Sequence, residues 1–260
     1  MIGVFDSGIG GLTVVRSLME CLPGYDVLYF GDTARTPYGS KSPSTVVKYA
    51  VENTELLLAH GARAIVLACN TASSVAPDIL RQRYDVPFFE VITPAARLAI
   101  EGSRNGRIGV IGTRATVASG IYETVITALR PECRVFSVAC PLLVPMVEEG
   151  WLKKPETAMI VKKYLRPLKA RQIDTLILGC THYPLLADLI QAKIGRRVRV
   201  IDSSTGVAKV VCRWVEQADK GRSMARQGCY RFMVSDATPH FETIARAILK
   251  RPIHLETLTA

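Results

Sequence analysis

Short apolar runs alternate with segments of helical period along almost the whole chain, and that alternation leaves few folds open. IGVF at 2 to 5 precedes GLTVVRSLMECL, DVLYF at 26 to 30 precedes STVVKYAVENTELLLAHG, and AIVLAC at 64 to 69 precedes SSVAPDILRQRY. The second half repeats the order. RIGVIG at 107 to 112 stands before ATVASGIYETVITAL, and RVFSVAC at 134 to 140 before a proline-rich turn and a helix. TLILGC at 175 to 180 leads into a helix from about Tyr183, and RVRVID at 197 to 202 into STGVAKVVCRWVEQA. Strands separated by helices predict an α/β fold with mainly parallel sheets.

The spacing makes this an internal repeat. Val4 to Cys69 is 65 residues (69 minus 4) and Val110 to Cys180 is 70 (180 minus 110). In each half an Ile-Gly-Val strand opens the unit, and a cysteine-terminated strand comes third or later. Two pseudo-symmetric α/β domains are expected, with a site in the cleft where their strand ends meet. Crossing points between them are expected at the turn near Thr93-Pro94 and after Asp202. The tail CYRFMVSDATPHFETIARAIL reads as strand, turn and helix returning to the first unit. The expected division is residues 1–93 plus 207–260 for the first domain and 94–206 for the second.

With 260 residues, 48% of them hydrophobic, the chain can fill real cores. The start, MIGVFDSGIGG, has no basic leader, and no segment approaches the roughly 18 uninterrupted apolar residues of a membrane span. A cytoplasmic protein without a membrane partner is expected. The seven cysteines, at 21, 69, 133, 140, 180, 212 and 229, form no C-x-x-C pair and leave an odd one over. Neither a disulfide framework nor a metal site is expected, and Cys21, Cys133, Cys140, Cys212 and Cys229 read as small buried hydrophobes. The formal charge is +10, with Arg196, Arg197, Arg199, Arg213, Arg222, Arg226 and Arg231 late in the chain. No aromatic residues interleave them, so they read as a solvated basic face that still attracts small acidic molecules.

The chemistry concentrates at strand ends. DSGIGGLTV at 6 to 14 has the layout of a loop that lets backbone approach a small anion, yet it is neither a dinucleotide fingerprint nor a Walker loop. GDTARTPYGS at 31 to 40 follows the second strand, and Tyr38 in it is placed to donate to a carboxylate. Cys69 is followed by Asn70 and Thr71, and Cys180 by Thr181 and His182, residue types that cap helices and offer hydrogen bonds. A thiol at a helix start is expected to have a lowered pKa. Asp6 is positioned to face Cys69, and His182 is the histidine beside Cys180, whereas His60, His240 and His254 read as structural or solvated. Glu148 is a further acid/base candidate that spacing cannot separate from Glu149.

A Cys-His hydrolase leaves the second matched cysteine unexplained, and a dithiol redox site usually uses C-x-x-C. Two equivalent acid/base groups on opposite faces of a planar intermediate are what inversion of a stereocentre requires. At this point DSGIGGLTV, GDTARTPYG, ACNTAS, GTRATVASGIY and GCTHYP together resemble the bacterial glutamate racemases, in order and across essentially the whole length. The related aspartate racemases share the two cysteines, but the opening DSGIGGLTV is more similar to the glutamate enzymes.

The resemblance implies a cofactor-independent racemase that interconverts L- and D-glutamate and supplies the D-isomer for peptidoglycan. It implies Cys69 and Cys180 as paired catalytic thiols, Cys69 acting on D-glutamate and Cys180 on L-glutamate, with Asp6, Glu148 and His182 assisting. Substrate contacts map to Asp6, Ser7, Tyr38, Gly39, Asn70, Thr71, Thr181 and His182, and to Thr113 and Thr116. A homodimer is the expected assembly. Because some members of the family inhibit DNA gyrase, a gyrase partner is a second expectation, marked by salt-dependent DNA binding that survives loss of both cysteines. A third reading, racemisation of another small diacid, predicts activity on aspartate with little on glutamate.

Overall fold

Ile2–Asp6 form β1, buried along its whole length, as a central parallel strand covered on both faces must be. The computed structural model describes residues 1–218, 228–237 and 239–258, without the side chains of 239 and 240. After β1 come α1 (Leu12–Cys21), β2 (Val27–Gly31), α2 (Pro43–Ala59), β3 (Ala64–Leu67), the single turn α3 (Asn70–Ser73), α4 (Pro77–Arg83), β4 (Phe88–Glu90) and α5 (Ile92–Gly102). The next unit runs β5 (Arg107–Gly112), α6 (Arg114–Ala118), α7 (Ile121–Leu129), β6 (Arg134–Ala139), α8 (Leu143–Glu148), α9 (Pro155–Ala170), β7 (Thr175–Gly179), α10 (Ala187–Ile194) and β8 (Arg199–Asp202). The chain then returns through α11 (Ser203–Ala218), β9 (Tyr230–Val234), α12 (Pro239–Leu249) and β10 (Leu255–Thr257).

Among the described residues two sheets result, ordered β10-β9-β2-β1-β3-β4 and β6-β5-β7-β8, with their strand pairs parallel. Four strands of the first, β2-β1-β3-β4, repeat the order of the second. In both units the opening strand is central and the third strand leads to the cysteine. The register makes the equivalence residue-specific: Phe5 pairs with Leu67, two residues before Cys69, and Gly112 pairs with Gly179, one before Cys180. Asp6 and Gly112 therefore hold corresponding positions. The tail rejoins the first sheet as expected, Val27 pairing with Tyr230.

Helix α11 packs on α1 of the first unit and on α5, which in turn packs on α7. Val15 and Leu18 of α1 and Val207 and Val211 of α11 are wholly buried, each burial contributing about 1.5–3 kcal/mol.

Several local expectations are corrected. No turn stands at Thr93-Pro94: both residues lie in α5, whose first amides, Ile92 and Thr93, donate to the Glu90 carboxylate at 2.5 and 3.0 Å. A proline in the first helical turn has no needed amide to lose. The helix read across 115 to 129 is broken at Gly120, whose φ of +66° suits glycine. Tyr183–Leu186 form a 3-10 turn before α10. Cys21 and Cys212, expected as free thiols, are joined in a disulfide with Cα atoms 6.5 Å apart, and Cys229 is exposed. The pair is brought together because α1 and α11 are neighbours, which 191 residues of separation conceal.

Candidate active site

The loops that follow β1, β3 and β7 meet at the seam between the sheets. Asp6 closes β1 with its carboxylate fully buried; the Gly8 and Gly11 amides donate to Oδ2 at 3.2 and 2.9 Å. From the other sheet, the Thr181 hydroxyl donates to Asp6 Oδ1 at 3.3 Å. Gly10 is what lets these two loops touch. A Cβ there would lie 2.7 and 2.8 Å from the Thr181 carbonyl carbon and the His182 nitrogen, closer than backbone atoms allow.

Cys69 stands at the start of α3, 5% exposed, and its thiol donates to the Ser7 hydroxyl at 3.6 Å. The expectation of a lowered pKa is overturned here. Burial, seconded by the Asp6 carboxylate and with a smaller contribution from Cys180, pushes the Cys69 thiol up to about 12, against the Ala72 amide and Ser7. A four-residue helix has too little dipole to offset the loss of water. Asp6 itself is raised above the usual carboxylate value by burial, although His182, the two glycine amides and Thr181 all pull it down.

Cys180 has different neighbours. Its sulfur lies 3.8 Å from His182 Nδ1, and His182 Nε2 lies 3.2 Å from Glu148 Oε1. Burial opposes charge on the imidazole, but hydrogen bonds with Cys180 and Glu148 hold it well above the ordinary histidine value. Glu148 is drawn up by burial and down by its hydrogen bond to His182, by that residue's charge and by the Thr36 hydroxyl, ending below the usual range. Glu149 is exposed, so the position of α8 separates the two carboxylates.

Thr71 from the first unit and Thr113 and Thr116 from the second form a triangle of buried hydroxyls, 2.9, 3.2 and 3.0 Å apart. Gly39 sits against Thr113, where any side chain would overlap it. Asn70 accepts from the Tyr122 hydroxyl at 2.7 Å and donates to Ser203 at 3.3 Å. The Tyr38 hydroxyl donates to buried Asp32 and accepts from Asn53 at 3.0 Å, so the residue faces the first unit's interior through its ring and hydroxyl. Asp6, Ser7, Gly39, Cys69, Asn70, Thr71, Thr113, Thr116, Glu148, Cys180, Thr181 and His182 thus lie in or beside the seam, whereas Tyr38 turns into the first unit. Asp32, Thr36, Tyr122 and Ser203, which hold those residues, were not singled out as functional. Asp32 and Thr36 sit in a loop the sequence did mark; for Ser203 no local signal exists.

The remaining readings fall outside the site. His60 Nδ1 lies 2.9 Å from the Leu56 carbonyl at a helix end, and His254 is exposed. Arg196, Arg197, Arg199 and Arg213 are exposed and Arg231 pairs with Glu256 at 2.6 Å, while Arg222, Arg226 and the His240 side chain lie outside the described residues. Among the described residues no group of three metal-ligating side chains clusters, and no helix is long and apolar enough to cross a membrane.

The chain is similar to known proteins in sequence and in fold. A family model described as Asp/Glu/Hydantoin racemase matches residues 2–210. The glutamate racemase of Syntrophus aciditrophicus is 46% identical over 252 residues, which cover 97% of this chain and 93% of that one. Among solved structures, a glutamate racemase from Bacillus anthracis is similar with a TM-score of 0.94 and 36% identity, covering 100% of this chain and 97% of that one. The glutamate racemase from Francisella tularensis in complex with D-glutamate gives a TM-score of 0.91 and 38% identity, covering 99% and 97% of the two chains.

Proposed function

The chain belongs to the Asp/Glu/hydantoin racemase family, and on that premise we propose that it interconverts L- and D-glutamate by a two-base, cofactor-free mechanism in which Cys69 and Cys180 act on opposite faces of the α-carbon. The observation that carries this reading is the pair of thiols beyond the ends of corresponding strands, each with its own acid/base partner: Asp6 beside Cys69, and His182 with Glu148 beside Cys180.

A thiol held near 12 rests protonated, which is the form Cys69 needs to return a proton after Cys180 has taken one from L-glutamate. In the other direction Cys69 must first ionise, and the substrate ammonium beside it favours that state. The α-proton is weakly acidic, so the developing carbanion needs preorganised donors in a site closed to water. Asn70, Thr71, Thr181 and the amides after each cysteine have the buried placement that role demands. Thr113 and Thr116 with the Ser7 and Tyr38-Gly39 loops are read as the frame for the two carboxylates.

Residues 1–93 plus 207–260 are read as the domain contributing Cys69, and 94–206 as the one contributing Cys180. The product serves peptidoglycan synthesis in the cytoplasm, and the assembly is read as a homodimer. The test is incubation of the purified protein with each enantiomer in deuterated water without added cofactor. Inversion with α-deuterium incorporation supports the reading, and absence of inversion of both enantiomers overturns it. Turnover unchanged in Cys69→Ser or Cys180→Ser would refute the two-base mechanism alone.

A further inference from the structure

At the seam between the units, the loop after Tyr38 and helix α6 enclose a cleft of about 530 Å³. Its inner wall includes Gly39 and Thr71, and Thr71 is the corner of the threonine triangle contributed by the first unit. The cleft therefore opens against the seam in which the thiols lie. Its walls carry, among the described residues, two cations and no carboxylate: Lys41 comes from the first unit and Arg114 from the second. Among the described residues neither head group makes an ion pair or hydrogen bond.

Two unpaired cations, half-buried Lys41 from one unit and exposed Arg114 from the other, set up a positive potential along the cleft, and a molecule with two carboxylates and one ammonium group is drawn in. We propose that this cleft is the entrance to the site, and that Lys41 and Arg114 capture a carboxylate of the acidic substrate before it passes Gly39 and Thr71. The proposal rests on the reading above that the substrate is glutamate. It adds a route and two residues that steer without touching the reacting atoms.

The test compares kcat/KM of the wild type with Lys41→Glu, Arg114→Glu and the double variant, at low salt and in 1 M salt, for both enantiomers. At low salt the double variant is expected to lose about tenfold in kcat/KM with kcat within about twofold. That loss shrinks toward nothing at 1 M, where the screening length falls to about 3 Å. Lys41→Gln and Arg114→Gln keep the test alive should charge reversal impair folding; each is expected to lose about threefold at low salt. Arg197→Glu changes the net charge by as much as either single reversal, at an exposed site outside the cleft lining, and is expected to leave kcat/KM unaltered. A wild type that inverts glutamate while the cleft variants match it, or while Arg197→Glu falls as far as they do, overturns the entrance alone. A loss that persists at 1 M salt also overturns it. A wild type that inverts neither enantiomer removes the functional reading and the entrance with it.

Discussion

His182 Nε2 lies 3.2 Å from Glu148 Oε1, joining the loop after β7 to the end of α8. Both residues belong to the second unit, and their pairing raises the imidazole while lowering the carboxyl. The pairing therefore favours the charged form of both groups, and its effects on stability and turnover can be told apart.

The stability effect has a defined window. His182 is raised above its unfolded value of 6.5, so its contribution is complete below that pH and is lost as pH rises through the folded value. Glu148 is lowered from 4.5, so its contribution is complete above that pH and is lost as pH falls through the folded value. The Tm difference between wild type and Glu148→Gln is expected to be largest between about pH 4.5 and 6.5 and to narrow on both sides. Thermal melts across pH 3 to 10 check this, and a difference constant with pH would contradict it.

Turnover should respond as well. Losing the Glu148 charge lowers the His182 pKa, so the alkaline limb of the pH profile of kcat/KM is expected to move to lower pH in Glu148→Gln. Beyond the limb, the rate then falls roughly tenfold for every pH step of one by which the limb has moved. A pH series with either enantiomer shows it; a uniform drop with no movement of the limb would assign Glu148 a packing role instead.

Cys69 offers a direct chemical readout. With its thiol near 12, alkylation by iodoacetamide is expected to keep rising up to about pH 11, because only the thiolate reacts. Removing the Asp6 charge in Asp6→Asn takes away the second cause of that elevation. The same alkylation rate should then be reached at a pH lower by roughly 0.5 to 1. Peptide mass spectrometry at Cys69 measures both profiles, and superimposable curves would remove Asp6 from the account.

Gly10→Ala tests the contact between units. Its methyl group would meet the Thr181–His182 backbone at 2.7 to 2.8 Å, and backbone cannot rotate away. The expected cost is about 1–3 kcal/mol of stability, with a fall in kcat/KM as Thr181 is pushed from Asp6. Chemical denaturation and steady-state rates check both; a neutral Gly10→Ala would mean that the loops part freely.

Tyr122→Phe isolates a residue that acts through another. It leaves the buried Asn70 Oδ1 without its 2.7 Å donor, at a cost of about 1–3 kcal/mol. A raised KM with little change in kcat is expected if Asn70 is thereby misdirected. Unchanged kinetics alongside a lowered Tm would confine Tyr122 to the core.

The sequence made the parallel units, the returning tail and both thiols legible because each depends on local pattern: apolar runs, helical period and turn residues. β4 and β10 escaped because three residues are too few to establish a period. Thr93-Pro94 misled because a proline within a helix's first turn has the same local signature as a turn. Glu148 could not be told from Glu149 until α8 oriented one of them toward His182. The direction in which the Cys69 pKa moves is hidden for a related reason. A helix start is visible in a sequence, but the removal of water around a thiol and the approach of Asp6 belong to tertiary structure. Cys21 and Cys212 meet only because α11 crosses back to α1.

The repeat places Asp6 where the second unit has Gly112, so one thiol answers to an anion and the other to an imidazole. Mirror-image substrates have equal free energy in water, and no arrangement of charges in a catalyst can alter that. The ratio kcat/KM must therefore be identical for the two enantiomers at every pH and in every variant. The unlike surroundings of Cys69 and Cys180 are free to appear only in how that common ratio divides between kcat and KM, and in which proton transfer carries the larger isotope effect.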